Sequence, residues 1–167
     1  MNRTLYLTMS GAPAPGAPVT ELVRLLQDHG WSLTVLSTPA GVRFHDLDAI
    51  AALTGESVRV QFRHPGTGRS LPPPDVVVAC PWSFNSTNKA ALGLAGNFAV
   101  ALVCEMLGRR VPTVIVPKTG TALANHPAFE HSLQALASIP GTTVVYDTDR
   151  PFPSWEEIVD QVETTAG

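Results

Sequence analysis

The segment VVVACPWSFNSTNKAALGLAGNF, residues 76–98, contains the pattern that decides the fold. Its first four residues, 76–79, are an uninterrupted apolar run, which is typical of a strand buried on both faces of a parallel sheet. Pro81 is predicted to end that strand, because proline has no backbone N–H to donate to a neighbouring strand. A buried parallel strand that leads into a helix is the repeating unit of α/β proteins.

A long helix is predicted after this strand, over residues 86–107, with Gly108 at its end. Ser86 or Asn85 would cap the helix, since either side chain can accept a hydrogen bond from the first turn. The helix is rich in alanine and glycine and has no wide charged face. We therefore expect it to pack closely against other backbone, within the subunit or across an oligomer interface.

Strands and helices alternate along the rest of the chain. Further strands are predicted at 5–9, 33–36, 58–62, 113–116 and 143–146, and further helices at 18–29, 46–53, 127–139 and about 154–164. The last helix begins with a capping box, a serine followed three residues later by a glutamate, at Ser154 and Glu157. This order predicts an α/β, doubly wound three-layer fold of Rossmann or flavodoxin-like type, with a mainly parallel six-stranded sheet in a single domain over residues 1–167.

The composition excludes one class of partner and suggests another. The chain has 167 residues, of which 15% are charged, and a formal net charge of −3. Its basic residues are scattered and form no stripe that could follow a phosphodiester backbone, so nucleic acid is not an expected partner. So few charges suggest that other copies of the chain cover part of the surface.

The cysteines and histidines do not have the spacing of a metal site. Cys80 and Cys104 lie in apolar contexts, where a free buried thiol is the usual outcome, and this favours a reducing cytoplasm. His126 and His131 miss the spacing of a helical metal pair. No stretch approaches the roughly 20 apolar residues of a membrane span. We therefore expect a soluble, cytoplasmic protein without a metal.

Ligands of such sheets bind beyond the carboxyl ends of the strands. The predicted loops at those ends are 10–12, 37–40, 81–87 and 117–127. In the first loop, Gly11 gives a phosphate room to approach the backbone, and the alternative is a tight turn without a ligand. Ser37 and Thr38 add hydroxyl groups at the end of the neighbouring strand. The KTGT sequence at 118–121 has the wrong residue order for a P-loop, and we reject that interpretation.

The residues P-W-S-F-N-S, at 81–86, resemble the Pro-Ala-Ser-Ala-Asn-Thr motif of the homo-oligomeric flavin-containing cysteine decarboxylases. The pattern continues through Lys89, Gly93, Leu94 and Asn97. This family includes the phosphopantothenoylcysteine decarboxylases and the lyases that act on C-terminal cysteines of lantibiotic-type peptides. The resemblance spans residues 3–146, and its other matching segments are Ser10-Gly11-Ala12, Ser37-Thr38-Pro39 and HPAF at 126–129.

The resemblance implies that the protein binds FMN between subunits, in trimers or in dodecamers built of trimers. Bound FMN would accept two electrons from the cysteine side of the substrate, which then loses carbon dioxide. Asn85 would orient the substrate carboxylate. Trp82 would either stack beside the flavin and narrow the substrate pocket or fill an interface. The residues that the resemblance assigns to the cofactor are Ser10, Gly11, Ala12, Ser37, Thr38, Pro81, Trp82, Ser83 and Thr87.

Of the features that depart from the family pattern, two concern catalysis and substrate recognition. His64 lies a few residues from the position of the family's active-site histidine, and it is either a catalytic base or a loop histidine in solvent. The peptide decarboxylases carry a Pro-x-Met-Asn-x-x-Met-Trp substrate clamp, of which Pro117 is kept. The other clamp positions hold Thr119, Gly120, Leu123 and Ala124. The resemblance therefore extends to fold and flavin but not to recognition of a peptide terminus by that clamp.

These features support an enzyme as the first hypothesis, an FMN-dependent decarboxylase of a cysteine-bearing small molecule or peptide, with Asn85 and His64 as catalytic residues. The second hypothesis is an oligomeric FMN-binding protein that lacks decarboxylase activity. A third hypothesis is a protein that binds another nucleotide or a phosphosugar in the same crevice. The first two hypotheses share the flavin and differ in turnover.

Overall fold

Five parallel strands form the central sheet of the computed structural model, which describes residues 2–167. They are β1 (Arg3–Met9), β2 (Trp31–Ser37), β3 (Val76–Trp82), β4 (Thr113–Pro117) and β5 (Thr142–Val144). The strand order is β2-β1-β3-β4-β5, and every neighbouring pair is parallel. This is the order of flavodoxin-like doubly wound sheets, in which the chain reverses its direction of winding between β1 and β3.

Helices cover both faces of the sheet and complete three layers. They are α1 (Val19–Asp28), α2 (Leu47–Thr54), α3 (Phe84–Leu92), α4 (Phe98–Gly108), α5 (Thr121–Ala124), α6 (Pro127–Ala137) and α7 (Trp155–Ala166), with a short 3₁₀ helix at Ala40–Arg43. One core contains the apolar faces of α1 and α7 together with Ile50 of α2. The other core contains α4 with Ala90 of α3 and Leu136 of α6. None of the helices within residues 2–167 has the length and apolar character that a membrane span requires.

Strand β3 contributes to both cores, as its apolar run predicts. Val76, Val78 and Cys80 pack into the core on the α1 side. Val77 and Ala79 pack into the core on the α4 side. All of these side chains are fully buried. Alternation of buried side chains on a central strand is what places helices on both faces of the sheet.

The predicted strand at 58–62 is wrong, and the sheet therefore has five strands where the sequence predicts six. Arg59 makes one isolated bridge to Leu36 at the edge of the sheet. Beyond it, Phe62 is 54% exposed and packs against the ring of Phe98 at a centroid distance of 5.5 Å. The segment has no second row of buried side chains facing the core, so its apolar alternation does not extend the ladder.

The predicted long helix at 86–107 is also wrong, because the chain forms two helices there. Helix α3 ends at Gly93, whose φ of +73° is the left-handed conformation that glycine favours. Helix α4 begins after Asn97, whose side-chain oxygen accepts a hydrogen bond of 3.0 Å from the amide of Val100. Residues 93–97 therefore leave the helical path, which brings Gly96 and Asn97 to the wall of a cleft.

The start of α3 differs from the prediction as well. Strand β3 continues through Pro81 to Trp82, with a register shift against β4 between Ala79 and Trp82. The N-cap is Ser83, whose hydroxyl accepts a hydrogen bond of 3.1 Å from the amide of Ser86. The helix thus begins earlier than predicted, directly after the end of the strand at Trp82.

The last helix is fixed to the beginning of the sheet. Its predicted capping box is confirmed, and near its end Glu163 forms an ion pair of 2.5 Å with Arg3 of β1. The indole N–H of Trp31 donates to the same carboxylate at 2.8 Å. The Arg3 guanidinium carbon lies 3.8 Å from the centroid of the Trp31 ring. This cluster lies at the amino ends of the strands, away from the loops described below.

Candidate functional site

A cleft of about 670 Å³ opens at the carboxyl ends of β1, β2, β3 and β4. Each of the four predicted loops contributes to its wall. The structure therefore has a cavity where the sequence predicts one, and the binding of a ligand there stays a prediction. The cleft lies beside the switch point between β1 and β3, where sheets of this order bind ligands. Its volume is within the usual range for small-molecule and cofactor sites.

The first two loops pack tightly against each other. A Cβ on Gly11 would lie 2.9 Å from the Cβ of Ala40, and a Cβ on Gly41 would lie 2.4 Å from the Ser37 hydroxyl. The same Gly41 position is 3.2 Å from the carbonyl group of Ser10. Glycine is required at both positions because any side chain would push the loops apart. The loops therefore form one continuous wall of the cleft.

Ser10 joins the ends of β1 and β3 from behind that wall. Its backbone amide and its hydroxyl both donate to the carbonyl of Pro81, at 3.1 and 3.0 Å. Its hydroxyl also accepts a hydrogen bond of 2.7 Å from the amide of Ser83. Because Ser10 is fully buried, these bonds are protected from water, and they fix the first loop relative to the start of α3.

The N-terminal turn of α3 forms the floor between the first and third loops. Ser83, Phe84, Asn85 and Ser86 all line the cleft. Free amide groups and the helix dipole make such a turn favourable for a negatively charged group. The Asn85 side chain is exposed and makes no hydrogen bond within the described part of the chain, so its amide is available to a ligand.

The charged side chains on the cleft wall are Lys89 and Lys118, and no acidic residue lies among the described residues that line it. They are the only two lysines in the sequence. Neither forms an ion pair within residues 2–167, in contrast to Arg3, Arg24 and Arg109. Two unpaired ammonium groups facing one cavity favour an anionic ligand.

The structure brings some of the predicted site residues to the cleft and places others behind it. Gly11, Ala12, Thr38, Ser83 and Asn85 line the cleft. The remaining predicted cofactor residues are buried and do not line it; they are Ser10, Ser37, Pro81, Trp82 and Thr87. They support the wall, as Ser10 does. A direct contact between a ligand in the cleft and their side chains is not part of this arrangement.

Trp82 and Thr87 carry buried polar atoms without partners. Trp82 is fully buried in the core beside α4 and does not line the cleft, so a contact of its indole with a flavin stays a prediction. Its Nε1 and the Thr87 hydroxyl have no hydrogen-bond partner within residues 2–167. Unsatisfied buried polar groups are rare in native proteins.

His64 lies outside the cleft. Its loop is exposed, and its carbonyl accepts hydrogen bonds from the amide and hydroxyl of Thr67, at 3.1 and 2.6 Å. The structure therefore does not bring His64 and Asn85 together on one cavity wall of this chain. A catalytic role for His64 stays a prediction.

Sequence reasoning missed three groups at this site. Lys89 and Lys118 are the only lysines in the sequence, but that rarity gains a meaning only when the structure shows both on the cleft wall. The third is His45, whose Nε2 lies 3.1 Å from the carbonyl oxygen of Ser10. Burial lowers the pKa of this imidazole, while the hydrogen bond to Ser10 opposes that shift. Nothing in the local sequence indicates this contact, because it joins loops 35 residues apart.

The fold and the cleft define a doubly wound α/β protein with a cavity at the switch point of its sheet, whose charged wall residues are two lysines. The chain belongs to the Flavoprotein family, whose model matches residues 2–167. A comparison with curated protein sequences finds no significant match.

Solved structures share this fold over nearly the whole chain. The FMN-dependent cysteine decarboxylase TvaF from thioviridamide biosynthesis is 21% identical, with a TM-score of 0.74 over 99% of both chains. A PPC decarboxylase mutant complexed with pantothenoylaminoethenethiol is 17% identical, with a TM-score of 0.75 over 98% of both chains. AnUbiX in complex with FMN and dimethylallyl pyrophosphate is 16% identical, with a TM-score of 0.71 over 100% of this chain and 89% of that one. At these identities the likeness shows the fold.

Proposed function

We propose that this protein binds FMN in the cleft and catalyses the oxidative decarboxylation of a cysteine-containing small molecule or peptide C-terminus. The observation that carries the proposal is that the only two lysines of a Flavoprotein-family chain face one cavity at the switch point of the sheet. Two structural relatives, the FMN-dependent cysteine decarboxylase TvaF and the PPC decarboxylase mutant complexed with pantothenoylaminoethenethiol, support the choice of cofactor and reaction.

The residues of the cleft fit FMN. Gly11 lies on the cleft wall, and the α3 N-terminus and the lysines favour the charge of a phosphate. Among the residues that line the cleft, Thr119 has a buried hydroxyl without a partner within residues 2–167. A polar cofactor would give such groups partners. The volume of about 670 Å³ leaves room for a substrate group beside the cofactor.

In this proposal, bound FMN supplies the two-electron acceptor, and the chain supplies position and polarity. Gly11 and Thr38 lie at the phosphate and ribityl end, with Ser10 and Ser37 supporting them from behind. Ser83 faces the cofactor from the start of α3. The exposed amide of Asn85 donates to the substrate carboxylate and holds it above that turn. His64 is the proposed base, although it lies outside the cleft of this chain.

Replacement of Asn85 by alanine tests the enzymatic part of the proposal. Asn85→Ala should retain FMN and lose at least about a hundredfold of the rate of carbon dioxide release, because the carboxylate loses its orienting donor. The substrates tested are phosphopantothenoylcysteine and a peptide ending in cysteine. Asn125→Ala is a matched control, since Asn125 is exposed at the end of α5 and does not line the cleft. A variant with normal FMN content and full activity would refute the role of Asn85.

The second candidate function is FMN binding without decarboxylation. It is favoured by the position of His64 outside the cleft and by the clamp positions, which hold Thr119 and Gly120 on the cleft wall. The AnUbiX structure supports this alternative, since that relative holds FMN together with dimethylallyl pyrophosphate. A wild-type protein that contains FMN and releases no carbon dioxide from either substrate would establish it.

We further propose a cytoplasmic homo-oligomer, a trimer or a dodecamer built of trimers, with the flavin at the subunit interface. Exposed apolar side chains beside the cleft support this assembly, among them Leu92 at 71%, Leu94 at 54% and Leu123 at 49% exposure. Cys80 and Cys104 are free, and burial raises the pKa of each thiol, which suits a reducing compartment. Light scattering tests the assembly, and a monomer at micromolar concentration would contradict it.

A further inference from the structure

The segment at residues 40–45 packs over the first loop of the cleft. Ala40 and Gly41 lie close against Ser10 and Gly11. A Cβ atom added to Gly11 or to Gly41 would clash at this contact. The ring of Phe44 lies 3.6 Å from the position of a Gly11 Cβ. His45 follows directly and is half-buried beneath the loop. The segment therefore supports the back of the loop that forms part of the cleft wall.

His45 contacts this loop through a specific hydrogen bond. Its Nε2 lies 3.1 Å from the carbonyl oxygen of Ser10, and the same oxygen accepts the amide of Ala12 at 2.8 Å. Burial lowers the pKa of the imidazole, so the ring is neutral near neutral pH and carries one N–H. Because a carbonyl can only accept, that proton is on Nε2, which donates to Ser10.

The orientation of one peptide group depends on this bond. The Ser10-Gly11 peptide is trans, so its N–H points away from its carbonyl. With the carbonyl held toward His45 and Ala12, the Gly11 amide is directed to the opposite side, and no backbone acceptor within residues 2–167 takes it. Gly11 itself lines the cleft. Glycine can adopt the φ values that a flipped peptide requires, and a flip would present a carbonyl oxygen to the ligand.

We propose that His45 is a positioning residue that locks the Ser10-Gly11 peptide with its amide N–H, and not its carbonyl, toward the cofactor phosphate. This inference rests on the proposed function, because it assumes that the phosphate of FMN lies at the first loop. His45 does not touch the cofactor. It acts through the Ser10 carbonyl. It therefore raises the affinity for FMN, which has a phosphate, and not the affinity for riboflavin, which has none.

Three full-length proteins test this role, namely wild type, His45→Leu and His45→Gln, each stripped of bound flavin. Leucine fills a similar volume without a donor, whereas the glutamine amide can donate to the same carbonyl. FMN and riboflavin are titrated separately by the quenching of their fluorescence. His45→Leu should bind FMN about fivefold to tenfold more weakly and riboflavin as wild type does, and His45→Gln should recover FMN affinity to within about threefold.

The outcomes separate this inference from the proposed function. A wild type that binds neither flavin overturns the proposed function, and the inference with it. If wild type binds FMN and His45→Leu binds it equally well, the proposed function stands and the inference fails. Equal losses of FMN and riboflavin affinity in His45→Leu also overturn it, because a general loosening of the fold would affect both ligands. Thermal melting of the stripped proteins confirms that both variants fold.

Discussion

The backbone amide of Ser83 donates a hydrogen bond of 2.7 Å to the hydroxyl of Ser10, which in turn donates to the Pro81 carbonyl at 3.0 Å. These bonds join the first loop to the start of α3 across the switch point of the sheet. The two elements that border the cleft are thus held at a fixed separation by one buried serine. This relationship is the structural basis for a preformed site.

Replacement of Ser10 by alanine should lower the free energy of unfolding by about 1–2 kcal/mol, because the Ser83 amide loses its buried acceptor. FMN affinity should also fall by about tenfold, since the loop and the helix start are no longer held together. Urea denaturation and FMN titration measure the two effects. Ser138→Ala is the control, because Ser138 is exposed at the end of α6 and its loss should change stability by less than about 0.5 kcal/mol.

The tight packing of the first two loops predicts that Gly41 tolerates no side chain. Gly41→Ala places a Cβ 2.4 Å from the Ser37 hydroxyl and 3.2 Å from the backbone of Ser10, and should destabilise the protein by about 1–3 kcal/mol. Gly108→Ala, at the end of α4, has no atom within 4 Å of its Cβ and should be neutral or slightly stabilising. Equal stability of the two variants would show that the loops are not packed as described.

The lysines of the cleft should contribute to FMN binding through charge. Lys89→Met and Lys118→Met should each weaken FMN binding by about fivefold to tenfold and reduce its dependence on salt. Riboflavin, which has no phosphate, should lose less affinity. Arg69→Met is the control, because Arg69 is an exposed loop residue outside the cleft. FMN affinity that is unchanged in both lysine variants would contradict the assignment of the cleft to an anionic cofactor.

The contact between Arg3 and Glu163 predicts how stability depends on pH. The hydrogen bond from Arg3, and a weaker one from Trp31, lower the pKa of the Glu163 carboxyl against the opposing effect of burial. A lowered pKa means that the carboxylate stabilises the fold above its unfolded pKa, near 4.3. That contribution is lost as the pH falls through the folded pKa. Glu163→Gln should therefore be less stable than wild type at about pH 7, and the difference should shrink at about pH 3.

Thermal melting across this pH range measures the difference, which should be about 2–4 °C at neutral pH. Glu21→Gln is the matched control, since Glu21 pairs with Arg24 on the exposed face of α1 and such pairs contribute little. A wild-type advantage that stays constant down to acid pH would show that the Glu163 carboxylate charge does not stabilise α7.

Much of the architecture could be predicted because it depends on local pattern. The apolar run in β3 identified a central strand, and the strand ends identified the loops that form the cleft. The long helix could not be predicted correctly, since its small residues suit a helix and the break depends on the left-handed conformation of Gly93. The segment at 58–62 has strand-like alternation, but Val58 and Val60 are only partly buried and Phe62 is exposed, so the pattern overstates how far the segment pairs with the sheet.

The site was predicted less well than the fold, for a physical reason. Motif resemblance identifies Ser10 and Trp82 as site residues, but it does not distinguish a side chain that faces the ligand from one that supports the wall. Lys118 lines the cleft and His45 contacts Ser10 behind its wall, and both positions result from packing between distant parts of the sequence. Their roles depend on tertiary packing, and the structure was needed to find them.

The most direct test of the account is the visible absorption spectrum of the protein as purified, followed by identification of the compound released on denaturation. If the protein binds FMN as proposed, the spectrum shows flavin absorption bands and about one FMN per subunit is released. A colourless protein that also takes up no added FMN would contradict it.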